Sequence, residues 1–349
     1  PFCPNPSCPY HRTPPDEMRW YVKNGHYQNK ALGDQQRFIC KHCRKSFSLR
    51  SFSIDYFVKK PLPYRDIFLS LISASGIRDI GRQLMVHHKT VLNRISRLAR
   101  QAIGVHSFLL GDIRLQEDLT TDGFESFTYS KYFPCNIHLL VGVESQFLYA
   151  ADYAHLKRKG KMRKEQREKR DELEKKVRGR VSITTSFTAI TEEVERLLET
   201  SPERNTVLRS DQKKEYERVI QESVLLAEKA SQGLFTHKQY SSKTARTKSN
   251  PLFSVNYLDR QFRKSLAEHA RKTLKWGKNC IACMQRIAVY RLYHNYMKSY
   301  RIESHDKKKQ RKVHGEPAGI AREIISELLE YIFERRIFLS RIKLSFSEA

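Results

Sequence analysis

Apolar residues recur at helical spacing through YRDIFLSLISASGIRDIGRQLMVHHKTVLNRISRLARQAI. Ile67, Leu71 and Ile72 open one face, Ile77, Ile80 and Leu84 a second, and Val91, Ile95 and Leu98 a third. Steps of three and four residues place such positions on one side of an α-helix. Met85-Val86 interrupts the pattern between the second and third faces, so two helices joined by a tight turn are predicted there. Residues 54–61 read as a linker leading into them.

From residue 119 the period shortens to two. LTTDGFESFTYS alternates through Leu119, Thr121 and Gly123, and NIHLLVGVESQFLYAADYA reads as two strands joined around Glu144-Ser145-Gln146. SFTAITEEVERLLET is an amphipathic helix. NTVLRSDQKKEYERVI is a strand ending in Asp211, then a helix, and VNYLDRQFRKSLAEHARKTLKWG reads as one long basic helix. Residues 304–316 form a hydrophilic linker, and 318–345 a terminal amphipathic helix with Ile324, Leu328, Ile332 and Ile337 inward. The order β-β-β-α-β-α predicts an α/β fold. The expected domains are 1–52, 53–108, 109–303 with an insertion at 155–180, and 304–349.

Charge narrows the class. The chain carries 65 Lys+Arg against 38 Asp+Glu, a formal net charge of +27 over 349 residues. Such an excess points to a polyanionic partner, nucleic acid first. A membrane surface is the competitor, but no apolar run approaches the ~18 residues that span a bilayer. The opening residues do not read as a signal peptide, so a cytoplasmic, nucleoid-associated protein is expected. Residues 155–180 hold 13 Lys/Arg and 5 Asp/Glu, either a solvated helical insertion or a DNA-clamping arm. Residues 236–250 read as a flexible basic loop.

Four of the seven cysteines stand in two early pairs, Cys3-x4-Cys8 and Cys40-x2-Cys43. Zn²⁺ takes four thiolates at tetrahedral corners from such knuckles. The aromatic, turn-punctuated stretch between them reads as a zinc ribbon held together by its metal. His11, His26 and His42 are possible substitute ligands. Cys280-x2-Cys283 falls in a helical pattern and reads as packing cysteines.

The third helix of the first segment would lie in the DNA major groove and expose His88, Lys89, Asn93 and Arg97. Asp122 lies within a strand and Asp211 closes one, so both could reach one site. Phosphodiester transfer calls for two divalent ions held by carboxylates from separate elements, and Mg²⁺ prefers such hard oxygen ligands. The bland alternatives are a strand-edge acid for Asp122 and a helix N-cap for Asp211.

RFICKHCRKSFS, GIRDIGRQLMVHHKTVLNRI, TTDGFESF, VLRSDQKKEY, NPLFSVNYLDRQFRKSLAEHARKTLKWGKN and RLYHNYMKSYRI, taken in order, resemble an insertion-sequence transposase of the DDE type with an N-terminal zinc ribbon and helix-turn-helix. The resemblance implies an RNase H-like catalytic core, two Mg²⁺ ions (Mn²⁺ as a substitute), and cleavage and joining of double-stranded DNA. The partners it implies are transposon ends and target DNA, with the chain a homo-oligomer on them. Members carry a Glu and, one helical turn on, an Asn. The matching positions here read Asn256 and Asp259, as if exchanged. Asp259 is the first choice for the third carboxylate, and Glu268, nine residues on, the second. Arg260, Arg263, Arg271 and Lys272 would meet phosphates from the same helix. A regulator or decayed element that binds DNA without chemistry is the alternative, followed by a non-transposing nuclease.

Overall fold

The computed structural model describes residues 2–16, 18–30, 32–130, 132–158, 160–175, 180–241, 243–301 and 311–344. The chain begins with a three-stranded antiparallel sheet, β1 (Tyr21–Asn29), β2 (Gly33–Cys40) and β3 (Ser46–Ser48). Its small core is Trp20, stacked on Phe47 at 5.5 Å between centroids, together with three of the four early cysteines.

Helices α1 (Tyr64–Ile72), α2 (Ile77–Gln83) and α3 (His88–Gly111) follow. Ile67, Leu71, Ile72, Ile80, Val91, Ile95 and Leu98 are buried, as their spacing predicts, and Ile77 and Leu84 pack half-buried against them. The α2–α3 turn needs a glycine. The Val86 amide donates to the Gly81 carbonyl at 2.9 Å, and a Cβ on Gly81 would sit 2.9 Å from the Val86 oxygen. The turn itself uses the left-handed region at Met85, φ 51°. Residues 54–61 are more than a linker, since Ile54 and Val58 are buried.

Helix α3 runs far beyond the two turns a DNA-reading helix needs. Its C-terminal half buries Val105, Leu109 and Leu110 and packs along α9 (Cys280–Tyr296). His106 bridges the Tyr296 hydroxyl and the Tyr149 carbonyl, each at 2.8 Å. The apolar faces of α1–α3 and of the sheet beyond them therefore form one continuous core.

That sheet contains β4 (Leu119–Phe127), β5 (Pro134–Gly142), β6 (Leu148–His155), β7 (Thr206–Asp211) and β8 (Phe235–Tyr240), in spatial order β6-β5-β4-β7-β8. The first three strands are antiparallel, while β7 runs parallel to β4 and β8 parallel to β7. From Cys135 onward every residue of β5 is buried, the mark of a strand covered on both faces. Helix α5 (Ile183–Glu199) covers β5 and β6, and α8 (Phe253–Ser265) packs on β4 and β5. Ser182 caps α5 through the Thr185 amide at 3.0 Å. Helices α4 (Lys164–Glu174), α6 (Lys214–Glu222), α7 (Val224–Ser231) and α10 (Arg322–Glu330) complete the molecule. No helix among the described residues is long and apolar enough to cross a membrane.

Four expectations change. The basic helix stops at Ser265, because Leu266 turns extended and is buried, and Glu268 and His269 follow it into the core. The terminal helix shrinks to α10: Ile325 is 3% exposed but Ile324 is 45%. The chain then turns back, with the Arg336 amide bonding the Phe52 carbonyl at 2.7 Å. Residues 236–240 of the expected basic loop belong to strand β8 instead. In the expected linker at 304–316, residues 304–310 lie outside the described residues. His314 beyond them is fully buried, stacked on His294 at 4.0 Å. Of the 155–180 block, residues 159 and 176–179 lie outside the described residues, as does residue 345 of the 318–345 helix. The rest of the block contains α4.

Candidate functional site

Two constellations stand out. The first is the cysteine cluster. The Sγ atoms of Cys3, Cys8, Cys40 and Cys43 all lie within 4.8 Å of one another, with Cys3–Cys43 at 3.7 Å and Cys8–Cys40 at 3.9 Å. Four sulfurs about 2.3 Å from a central ion stand roughly 3.8 Å apart, so the set fits a structural zinc ion. Burial pushes the Cys3 and Cys8 thiols up. At Cys43 burial acts the same way, but hydrogen bonds from the Lys45 amide, Asn5 and Cys3 outweigh it and bring the thiol to about 7. Two of the three histidines are otherwise engaged, whereas His42 Nδ1 lies 3.9 Å from the Cys8 Sγ. His11 spans the Cys3 carbonyl and the Ser340 hydroxyl at 2.7 and 2.8 Å, His26 pairs with Asp34, and His42 packs on Tyr10.

The second constellation forms where β4 and β7 part. Their parallel ladder pairs Leu119 with Leu208 and Thr120 with Arg209. Asp122 and Asp211 each stand three residues past the first pair, so the two carboxylates reach the same level. The Lys213 ammonium lies between them, 3.5 Å from Asp122 Oδ1 and 3.6 Å from Asp211 Oδ2. It also donates to the Tyr216 hydroxyl at 3.1 Å. The Gly123 amide donates to Asp122 Oδ1 at 2.7 Å. Asp122 pairs with Leu139 of β5, on the stretch of β4 beyond the end of its ladder with β7. Asp211 does not cap α6, whose N-cap is Lys213 with no side-chain cap.

Helix α8 carries Asp259 near Asp122 and Lys213, whose charges act on it. Burial, then the Asp122 charge, raises the Asp259 carboxyl to about 7 against the opposing pull of Arg263, Arg246 and Lys213. Asp211 is raised by the same two causes. Burial opposes the Lys213 ammonium, but Tyr216, Asp122 and Asp211 outweigh it and hold the ammonium above its usual range. Asp211 Oδ1 and Asp259 Oδ1 are buried with no hydrogen-bond partner, a costly state for a carboxylate. Divalent ions such as Mg²⁺ take hard anionic oxygens of this kind, but among the described residues these three carboxylates do not lie within 4.8 Å of one another as the cysteines do.

Glu268 is not brought to this cluster. It is buried in an ion pair with Arg286, in a group with His269 and Cys283 whose ligand atoms lie within 4.8 Å of one another. Asn256 is buried and donates to the Leu252 carbonyl at 2.9 Å. Arg260 is exposed, and Arg263 donates to the Glu125 carbonyl at 3.0 Å. Arg271 and Lys272 are exposed but lie past the end of α8.

On α3, Lys89 and Asn93 are exposed and His88 is half-buried. Arg97 is not free: it donates to the Ile54 carbonyl at 2.7 Å and lies over the Tyr56 ring at 4.2 Å. Sequence reasoning missed Lys213. The signal was its position two residues past Asp211, because side chains two apart in extended chain share a face. In comparisons with known proteins, no family model matches this chain and no curated protein matches it.

Proposed function

We propose that this chain is a DNA transposase of the DDE type, an RNase H-like core behind a zinc ribbon and a helix-turn-helix. It binds the ends of its element, cuts the DNA there and joins those ends to target DNA. The observation that carries the reading is the pairing of Asp122 and Asp211 across Lys213 on two neighbouring parallel strands, with Asp259 on a helix packed over the sheet near enough to feel the Asp122 charge. Support for the core comes from the sheet order, three antiparallel strands followed by two parallel ones. The net charge of +27 supports the polyanionic partner.

Asp122, Asp211 and Asp259 would hold Mg²⁺ or Mn²⁺, which when bound supplies charge neutralisation at the attacking and leaving oxygens. The protein does the positioning. Strands β4 and β7 fix two carboxylates at one level, α8 fixes the third, and Arg260, Arg271 and Lys272 take phosphates without reading sequence. In cleavage a water oxygen bonds to phosphorus as the P–O3′ bond breaks, leaving a 3′-hydroxyl. In joining, that hydroxyl oxygen attacks a target phosphodiester, so one P–O bond replaces another. The chain works as a homo-oligomer on double-stranded DNA, at the nucleoid in the cytoplasm.

A second reading, a DNA-binding regulator that has lost chemistry, is favoured by one observation: the carboxylate on α8 is Asp259, with Asn256 turned into the helix. The test is incubation of the full chain and Mg²⁺ with duplexes carrying the ends of its own DNA segment. Cleaved and joined products are expected. End binding without cleavage makes it a regulator, and cleavage without joining makes it a nuclease.

A further inference from the structure

A cleft of about 900 Å³ lies away from the carboxylates. It opens between the ribbon strands and the loop at 54–59, and its lining contains no Asp or Glu. Lys30, Arg37, Lys45 and Lys59 face it. At its edge stands Phe57, 92% exposed and in the left-handed backbone region at φ 57°. A bulky residue held at positive φ and left in water costs stability twice, and the ring contact given for it is only an edge-to-face one with Tyr56, 5.9 Å between centroids.

The loop presenting Phe57 is anchored on both sides of that ring. The Arg97 guanidinium bonds the Ile54 carbonyl, and Arg100 bonds the Tyr56 hydroxyl at 2.6 Å. The Tyr56 ring lies under Arg336 at 3.6 Å, and Arg50 donates to the Val58 carbonyl. Phe57 is thus fixed by its neighbours while its own ring touches little. Arg97 and Arg100 line a separate, smaller pocket that shares Tyr56 and Arg336 with the cleft.

We infer that this cleft holds a single DNA strand, its phosphates on Lys30, Lys45 and Lys59 and one unpaired base stacked on Phe57. A cation-lined groove with a projecting aromatic ring is the chemistry that grips single strands regardless of sequence. An acidic peptide would satisfy the cations but leave the ring in water. The inference rests on the DNA-processing reading for the source of the strand, which arises where duplex ends open.

The test measures binding of the full, zinc-loaded chain to fluorescent oligothymidylate, to the same strand made abasic, to a duplex of equal length, and to polyglutamate. Phe57→Ala should weaken oligothymidylate binding about tenfold and leave abasic-strand binding unchanged, while Phe57→Trp restores it. Lys45→Gln and Lys59→Gln should each lower the salt slope by about 0.7. An unchanged melting temperature in Phe57→Ala, expected from the exposure of the ring, excludes misfolding. The inference falls if Phe57→Ala binds oligothymidylate like the wild type, if it loses duplex binding equally, or if polyglutamate binds as tightly as the strand. None of these readouts uses strand cleavage, so a protein that cuts no DNA would sink the transposase reading alone.

Discussion

The ammonium of Lys213 stands 3.5 Å from Asp122, closer than any other cationic group to that carboxylate among the described ion pairs, and it reaches Asp211 as well. One lysine therefore balances two carboxylates that otherwise face each other. Lys213→Met should destabilise the metal-free protein by about 1–2 kcal/mol, the cost of leaving partly buried charge uncompensated. Mn²⁺ should return most of that loss. Thermal melts in chelator and in Mn²⁺ check it, and equal melts for variant and wild type in chelator would contradict it.

Asp259 predicts a pH dependence. Its carboxyl is raised to about 7, above the unfolded value near 3.9, so the folded chain binds the extra proton. Stability from this group is complete below about pH 4 and is lost as pH rises through about 7. Buried histidines act in the opposite direction, so the measurement is a difference. In chelator, Asp259→Asn should lack the part of the decline that wild type shows between pH 4 and 7. Parallel curves would exclude the raised carboxyl. Metal affinity should also climb across the same range, because binding displaces the proton.

The two contenders for the third carboxylate separate by type of defect. Asp122→Asn, Asp211→Asn and Asp259→Asn should abolish cleavage with folding and end binding nearly intact. Glu268→Ala should instead cost about 3–5 kcal/mol, since it leaves Arg286 buried without its partner. Cleavage per folded molecule should persist in it. Gel assays alongside denaturant titration decide, and a stable Glu268→Ala protein that cannot cut would reverse the assignment.

Purified chain should contain about one zinc per molecule. Cys40→Ser should remove it and loosen the ribbon, while the main sheet, which has its own core, stays folded. Metal analysis with hydrogen exchange reads both halves. Protection lost across β4–β8 as well would show that the two cores are coupled.

On α3, Asn93→Ala should reduce sequence preference more than affinity, and Lys89→Gln should weaken all duplexes alike with a salt slope smaller by about 0.9. Equal loss on cognate and random DNA in Asn93→Ala would remove it from base reading. Arg97→Ala should chiefly free the loop at 54–57, because its guanidinium is spent on Ile54 and Tyr56.

Local pattern determined a good deal of this protein. The helical period gave Ile67, Ile80, Val91 and Leu98 as core, the alternation gave β4 to β6, and the paired spacing gave the four cysteines. These signals are short-range, because backbone periodicity and turn chemistry act over a few residues. Tertiary structure decided the rest. Helical propensity continues past Ser265 in sequence, yet burial of Leu266, Glu268 and His269 ends α8 there and carries Glu268 to Arg286. Only the alignment of β4 with β7 sets Asp122 level with Asp211, since ladder register depends on strands 89 positions apart. The Lys213 bridge, the reach of α3 into the sheet's core and the anchoring of Phe57 beside the cleft are long-range packing. A single chain of letters does not encode such contacts until its surfaces have met.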